Sequence, residues 1–139
     1  MHSKILIAND GSAGAARALT AAITLARLEK GELHMISVEE LPQFAASIDE
    51  VIEEKEEANH RFVAVIARAA TEAKSRRVKL TPHIAAGHAV SSIVEMIERH
   101  HFDLLVVGYM GHAALYNRLI GSTTDRLVEL APCSVLVVK

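Results

Sequence analysis

There is no tryptophan in the 139 residues, and aromatic side chains make up only 4% of them. Stacking platforms for single-stranded nucleic acid or for carbohydrate are therefore poorly supplied. No sign of charge dominates: 15 Lys and Arg stand against 17 Asp and Glu, a formal charge of -2. A basic surplus able to neutralise a run of phosphates is missing, which argues against a nucleic-acid partner. The single cysteine, Cys133, excludes an internal disulfide. Apolar runs such as Leu104 to Val107 and Val135 to Val138 fall far short of the roughly 20 residues that cross a bilayer. Met1-His2-Ser3-Lys4 leads straight into a strand-like segment and not into a secretory apolar core. The expectation is a soluble, cytoplasmic chain with no membrane partner. No linker, repeat or low-complexity tract divides it, so residues 1–139 read as one domain.

What is present alternates between two periods. Lys4 to Ala8 is a short apolar run closed by Asn9-Asp10-Gly11-Ser12, as at the end of a buried strand. From Ala15 the residues Ala18, Leu19, Ala22, Leu25 and Ala26 recur at helical spacing, with Gly31 as the stop. Leu33 to Val38 is a second strand. Ser47-Ile48-Asp49-Glu50 fits a capping box that opens a long helix to about residue 75. Val78 to Ala85 alternates as a third strand, placed at a sheet edge by Pro82. Val90, Ile93, Val94 and Ile97 mark a helix, Leu104 to Val107 a fully apolar strand, Thr123 to Leu130 a short helix, and Val135 to Val138 a last strand. Strands that alternate with helices pair in parallel through crossovers, so the fold class is α/β, a doubly wound sheet with helices on both faces.

In such a sheet the ligand crevice lies beyond the carboxyl ends of the strands. Five of the seven glycines follow apolar runs there: Gly11, Gly87, Gly108, Gly111 and Gly121. Glycine allows positive φ and lets a ligand approach backbone amides closely, as a phosphate cradle requires. Each of them, taken singly, equally serves a plain turn or cap. Gly121-Ser122-Thr123 also opens a helix, whose first amides attract an anion.

The spacing joins three of these glycines. Gly108-Tyr109-Met110-Gly111, nine residues from His112 to Ile120, then Gly121-Ser122 form the pattern G-x2-G-x9-G-[S/T]. With Asp10-Gly11-Ser12, Gly87-His88-Ala89, the segment Phe102 to Gly108 and the closing Ala131 to Lys139, the sequence resembles the ATP-binding branch of the universal stress protein family over essentially its whole length. The resemblance implies a five-stranded parallel sheet in the order 3-2-1-4-5, with ATP across the switch between strands one and four. It places Asp10 near the nucleotide and near Mg²⁺, backbone around Val38 against adenine, and Gly108, Met110, Gly111, Gly121, Ser122 and Thr123 against ribose or phosphates. ATP-binding relatives often carry Ser-His between the first two glycines and a basic residue after the second. Here those positions hold Tyr109-Met110 and His112, and a mostly neutral imidazole supplies less charge than Arg or Lys. Arg118 either compensates from within the nine-residue stretch or sits in solvent, and Mg²⁺ offers the same help.

Other chemistries find less support. A receiver domain needs an Asp ending the third strand, where Ala85-Ala86-Gly87 stands, and neither a Walker nor a dinucleotide fingerprint occurs. No pair among the eight histidines has the i, i+4 spacing of a helical metal site, so they read as scattered surface residues. Cys133 reads as a small packing residue. No strong general base stands out, so any ATP hydrolysis is expected to be slow. Under the implied order the strand Val135 to Val138 lies at an edge without charge or proline to protect it. The expectation is a homodimer through this strand, as is typical of the family, with cover by the chain's own helices as the alternative. The functional expectation is an ATP-dependent stress-response regulator; the alternative is a family member that acts as a dimeric protein-interaction module without nucleotide.

Overall fold

The computed structural model describes residues 2–40, 48–110 and 120–139. The elements run β1 (Lys4–Ala8), α1 (Ala13–Glu29), β2 (Glu32–Glu40), α2 (Ile48–Ser75), β3 (Leu80–Gly87), α3 (Ala89–His100), β4 (Leu104–Gly108), α4 (Ser122–Leu130) and β5 (Ser134–Val138). All strand pairs are parallel, in the order β3-β2-β1-β4-β5. The architecture is the one expected from the alternation and the resemblance.

β1 is the central strand, and Ile5, Leu6 and Ile7 are completely buried. Successive side chains point to opposite faces. Ile5 and Ile7 thus join Ala18, Leu19, Ala22 and Ile23 of α1 and Ala69 and Ala73 of α2, while Leu6 joins Ile93 and Ile97 of α3 and Leu127 of α4. A strand covered on both faces needs an unbroken apolar run, which is why no polar residue interrupts it. β3 is an edge strand, as Pro82 requires.

The helix ends differ from expectation in instructive ways. α1 begins two residues before Ala15, because Ser12 is its N-cap and its hydroxyl accepts from the Ala15 amide at 3.1 Å. At the other end Lys30, not Gly31, takes the left-handed conformation, with φ 55°. Gly31 is constrained by its surroundings, since a Cβ there would lie 2.7 Å from the His2 carbonyl oxygen. The residue that would most cheaply turn left is needed instead for a close backbone approach. α2 starts at Ile48, inside the expected capping box, but Ser47 lies outside the described residues.

The histidines are not all scattered. His34 of β2, His83 of β3 and His100 at the end of α3 gather around Phe102. The His34 and His83 rings are 8° from parallel with centroids 5.2 Å apart, and Nδ1 of His34 is 2.9 Å from Nε2 of His83. A face-to-face stack cannot satisfy both distances. The rings lie edge to edge in nearly one plane, the geometry of a hydrogen bond from an N–H of one ring to the lone pair of the other. Glu32 Oε2 approaches the far nitrogen of His34 at 3.3 Å, and Lys4 Nζ donates to the His100 carbonyl at 2.6 Å. The spacing along the chain hides this grouping, because the residues meet only where β2, β3 and the end of α3 come together.

Burial, then the proximity of His34 and His100, holds the His83 pKa below its ordinary value of 6.5. The unfolded chain therefore takes up this proton first as the pH falls, and the folded state loses stability below about 6.5. The urea midpoint is expected to drop between pH 7.5 and pH 5.5, and His83→Gln to make that drop smaller. An unchanged drop in the variant would assign the acid sensitivity to other groups.

Candidate functional site

A cavity of about 690 Å³ opens above the carboxyl ends of the strands, where β1 lies between β2 and β4 and the chain order reverses. The turn after β1 builds its floor. Asn9 is buried; its amide donates to the Ile36 carbonyl at 2.9 Å, and Ser37 Oγ donates to the Asn9 carbonyl at 2.7 Å. Asn9 Oδ1 accepts from the Gly11 amide, and Asp10 Oδ1 from the Ser12 amide, both at 2.9 Å. Two overlapping turns closed by side-chain oxygens thus fix the carboxylate of Asp10 at the cavity. Gly11 between them has φ 85°, which only glycine adopts without strain.

The opposite wall comes from the segment after β4. Tyr109 donates its amide to the Val138 carbonyl at 2.8 Å, and Gly121 donates to the Tyr109 carbonyl at 2.9 Å. The chain therefore leaves β4 and re-enters α4 at almost one point. Thr124 Oγ1 donates to the Gly108 carbonyl at 2.7 Å and fastens the first turn of α4 to the end of β4. Gly121 is the N-cap of α4, with an ordinary φ of -60° and no side-chain cap. Backbone conformation does not demand glycine here. What the missing side chain does is leave the start of α4 open toward the cavity.

α3 differs: its N-terminus is closed from within the chain. Glu40 Oε1 accepts from the Ala89 amide at 2.9 Å, and Glu40 Oε2 lies 3.6 Å from His88 Nδ1. A carboxylate already occupies the place where an anion would sit.

Of the residues expected at the site, Asp10, Val38, Gly108, Met110, Gly121, Ser122 and Thr123 all line this one cavity. Gly111, His112 and Arg118 lie outside the described residues. Gly87, placed by sequence among the crevice glycines, is not in the lining; at φ 145° it makes the turn out of β3. Sequence reasoning missed Asn9, Glu39, Glu40, Arg61, Phe62 and Val65 as lining residues. The periodicity of α2 marked Phe62 and Val65 as apolar-face residues, but no local signal says which strand end a helix overhangs. Cys133 is half-buried and burial pushes its thiol pKa up, so it stays protonated and packs with the α3–α4 side of the sheet.

A model of the universal stress protein family matches residues 1–139. The chain belongs to this family. The universal stress protein MJ0531 of Methanocaldococcus jannaschii is 32% identical over 145 residues, covering 100% of this chain and 83% of its own length. Among solved structures, universal stress protein UspA from Lactobacillus plantarum superposes with a TM-score of 0.87 at 27% identity, covering 99% of this chain and 97% of that one. A universal stress protein solved in complex with cAMP gives a TM-score of 0.76 at 22% identity, covering 99% of this chain and 97% of its own. Among the described residues no helix is long and apolar enough to cross a membrane.

Proposed function

We propose that this universal stress protein binds ATP with Mg²⁺ in the cavity between β1 and β4 and acts as a nucleotide-dependent regulator in the stress response, as a cytoplasmic homodimer paired through β5. One observation carries the reading. The ends of the G-x2-G-x9-G-S stretch, Gly108 and Gly121-Ser122, meet Asp10 at the same cavity although they are far apart in sequence. The uncapped start of α4 offers amides to phosphates, and the approach is open because Gly121 carries no side chain. The cAMP complex of a structural neighbour supports a nucleotide on this fold.

The described lining supplies carboxylates but no ready-made metal cage. No group of three or more carboxylate, histidine or cysteine ligands is found among the described residues. Asp10 is thus a single carboxylate contact, with phosphate oxygens and water completing the shell, the usual arrangement for Mg²⁺ on nucleotides.

Calorimetric titration of the protein at about 0.1 mM with ATP and Mg²⁺ tests the reading; absence of heat places any affinity at roughly millimolar or weaker and rejects it. Gly121→Asp separates binding from folding. An aspartate at the N-cap supports α4, changing stability by only a few tenths of a kcal/mol in its favour. The same carboxylate occupies the seat proposed for phosphate. The expected result is lost ATP binding with an equal or higher urea midpoint.

A further inference from the structure

Asn9, just past the end of β1, is only 6% exposed and lines the cavity. Three of its four polar groups are committed within the chain. The main-chain N–H donates to the Ile36 carbonyl, the main-chain carbonyl accepts from Ser37 Oγ, and Oδ1 accepts from the Gly11 amide. The last bond fixes which end of the side-chain amide is oxygen, because the Gly11 N–H needs an acceptor. Nδ2 therefore takes the other end, with two hydrogens to place. Among the described residues its partner is Met35 Sδ at 3.4 Å, a thioether that accepts weakly. A strong N–H donor is thus left at the cavity wall, where buried polar groups are ordinarily paired.

The turn after β1 explains the oxygen and not the nitrogen. A serine or threonine oxygen closes the same kind of turn, more weakly, without burying an amide nitrogen among apolar groups. We propose that Asn9 reads the base of the nucleotide, with Nδ2 donating to a ring nitrogen of a purine. The inference rests on the nucleotide reading above and adds to it a side chain that selects the ligand. Position decides between base and phosphate. Asn9 is bonded to Met35, Ile36 and Ser37 of β2, directly before Val38, whose backbone is the proposed contact for adenine. The proposed phosphate seat, at Gly108 and the start of α4, lies across β1 on the β4 side. An amide nitrogen only donates, so it suits an unprotonated ring nitrogen and rejects a ring N–H at the same place.

The test is a calorimetric series with Mg²⁺ and either ATP or its deaza analogues, each of which has one purine ring nitrogen replaced by C–H. In the wild type one analogue is expected to bind about tenfold more weakly than ATP because it leaves the buried donor without its acceptor. Asn9→Ser keeps an oxygen for the Gly11 amide but is too short to stand where Nδ2 stands. It is expected to bind ATP about tenfold more weakly than the wild type and to make no distinction between ATP and that analogue. Asn9→Asp keeps the shape and puts an acceptor in place of the donor, and is expected to bind the analogue no less tightly than ATP. Both comparisons are made within one protein, so a modest loss of stability does not enter them.

Each other outcome overturns the proposal. If the wild type binds every deaza analogue as tightly as ATP, no ring nitrogen is read, a result that needs no variant. If every penalty seen in the wild type persists in Asn9→Ser or Asn9→Asp, other groups read the ring nitrogens and Asn9 only closes the turn. Failure of the wild type to bind ATP at all is a separate result, which rejects the nucleotide reading itself and this inference with it.

Discussion

Gly14→Ala is expected to destabilise the protein by about 1–3 kcal/mol, the cost of forcing a methyl group into a packed contact. Helix propensity alone predicts the opposite sign. Gly14 lies within α1, where alanine ordinarily gains about 0.5–1 kcal/mol over glycine. The contact decides the matter. A Cβ on Gly14 would stand 2.2 Å from the Met110 carbonyl oxygen, and a Cβ on Gly108 would stand 2.8 Å from the carbonyl carbon and oxygen of Gly14. The atoms in the way are backbone, so no side chain can rotate aside to make room. The first turn of α1 and the end of β4 touch main chain to main chain, and glycine is required on both sides. Because Gly108 and Met110 also line the cavity, the displacement reaches the site, and ATP affinity is expected to fall together with the urea midpoint. A variant at least as stable as the wild type would show that β4 and α1 can separate freely, contrary to this geometry.

Gly14 also marks where the sequence stopped being legible. β1 and β4 were readable because burial on both faces leaves an unbroken apolar run, β3 because its residues alternate, and each helix because its covered stripe repeats every three or four residues. Those signals are local. Gly108 and Gly121 could be read as a pair because a family pattern fixes their spacing, but Gly14 has no such spacing to Gly108 and no local signal marks it. The same holds for His34 and His83, which meet through strand register, and for Arg61 and Glu39, which meet because α2 crosses the end of β2. Alternation gives the parity of a strand residue, but not which helix its side chain will find. The exchange of roles at Lys30 and Gly31 has a similar cause: the stop signal was correctly located, while the neighbour competing for the glycine, the His2 carbonyl, comes from the other end of the β1–α1 unit.

At the far edge of the sheet, Leu136→Lys is expected to convert the proposed homodimer to a monomer. β5 pairs with β4 on one side, and along its other side it has no strand partner among the described residues. Sequence alone points to a lysine at Val137, but Val135 and Val137 pack against the cluster around Leu105 and Leu127, and Val138 against the cluster on the opposite face. A charge at Val137 would damage the fold and the interface together. Leu136 has the opposite parity and is 36% exposed, the most exposed large apolar residue of the strand. Its substitution spares the cluster of Leu105 and Leu127. In a two-fold pairing of β5 strands every substitution enters twice. Each unpaired ammonium buried at the interface costs several kcal/mol, so two of them raise the dissociation constant by about a thousandfold or more. Light scattering at a concentration where the wild type is dimeric reads the change as a halved mass, and circular dichroism checks that the sheet persists. A variant that keeps the dimeric mass would place the interface elsewhere and leave the edge of β5 to be protected by other means.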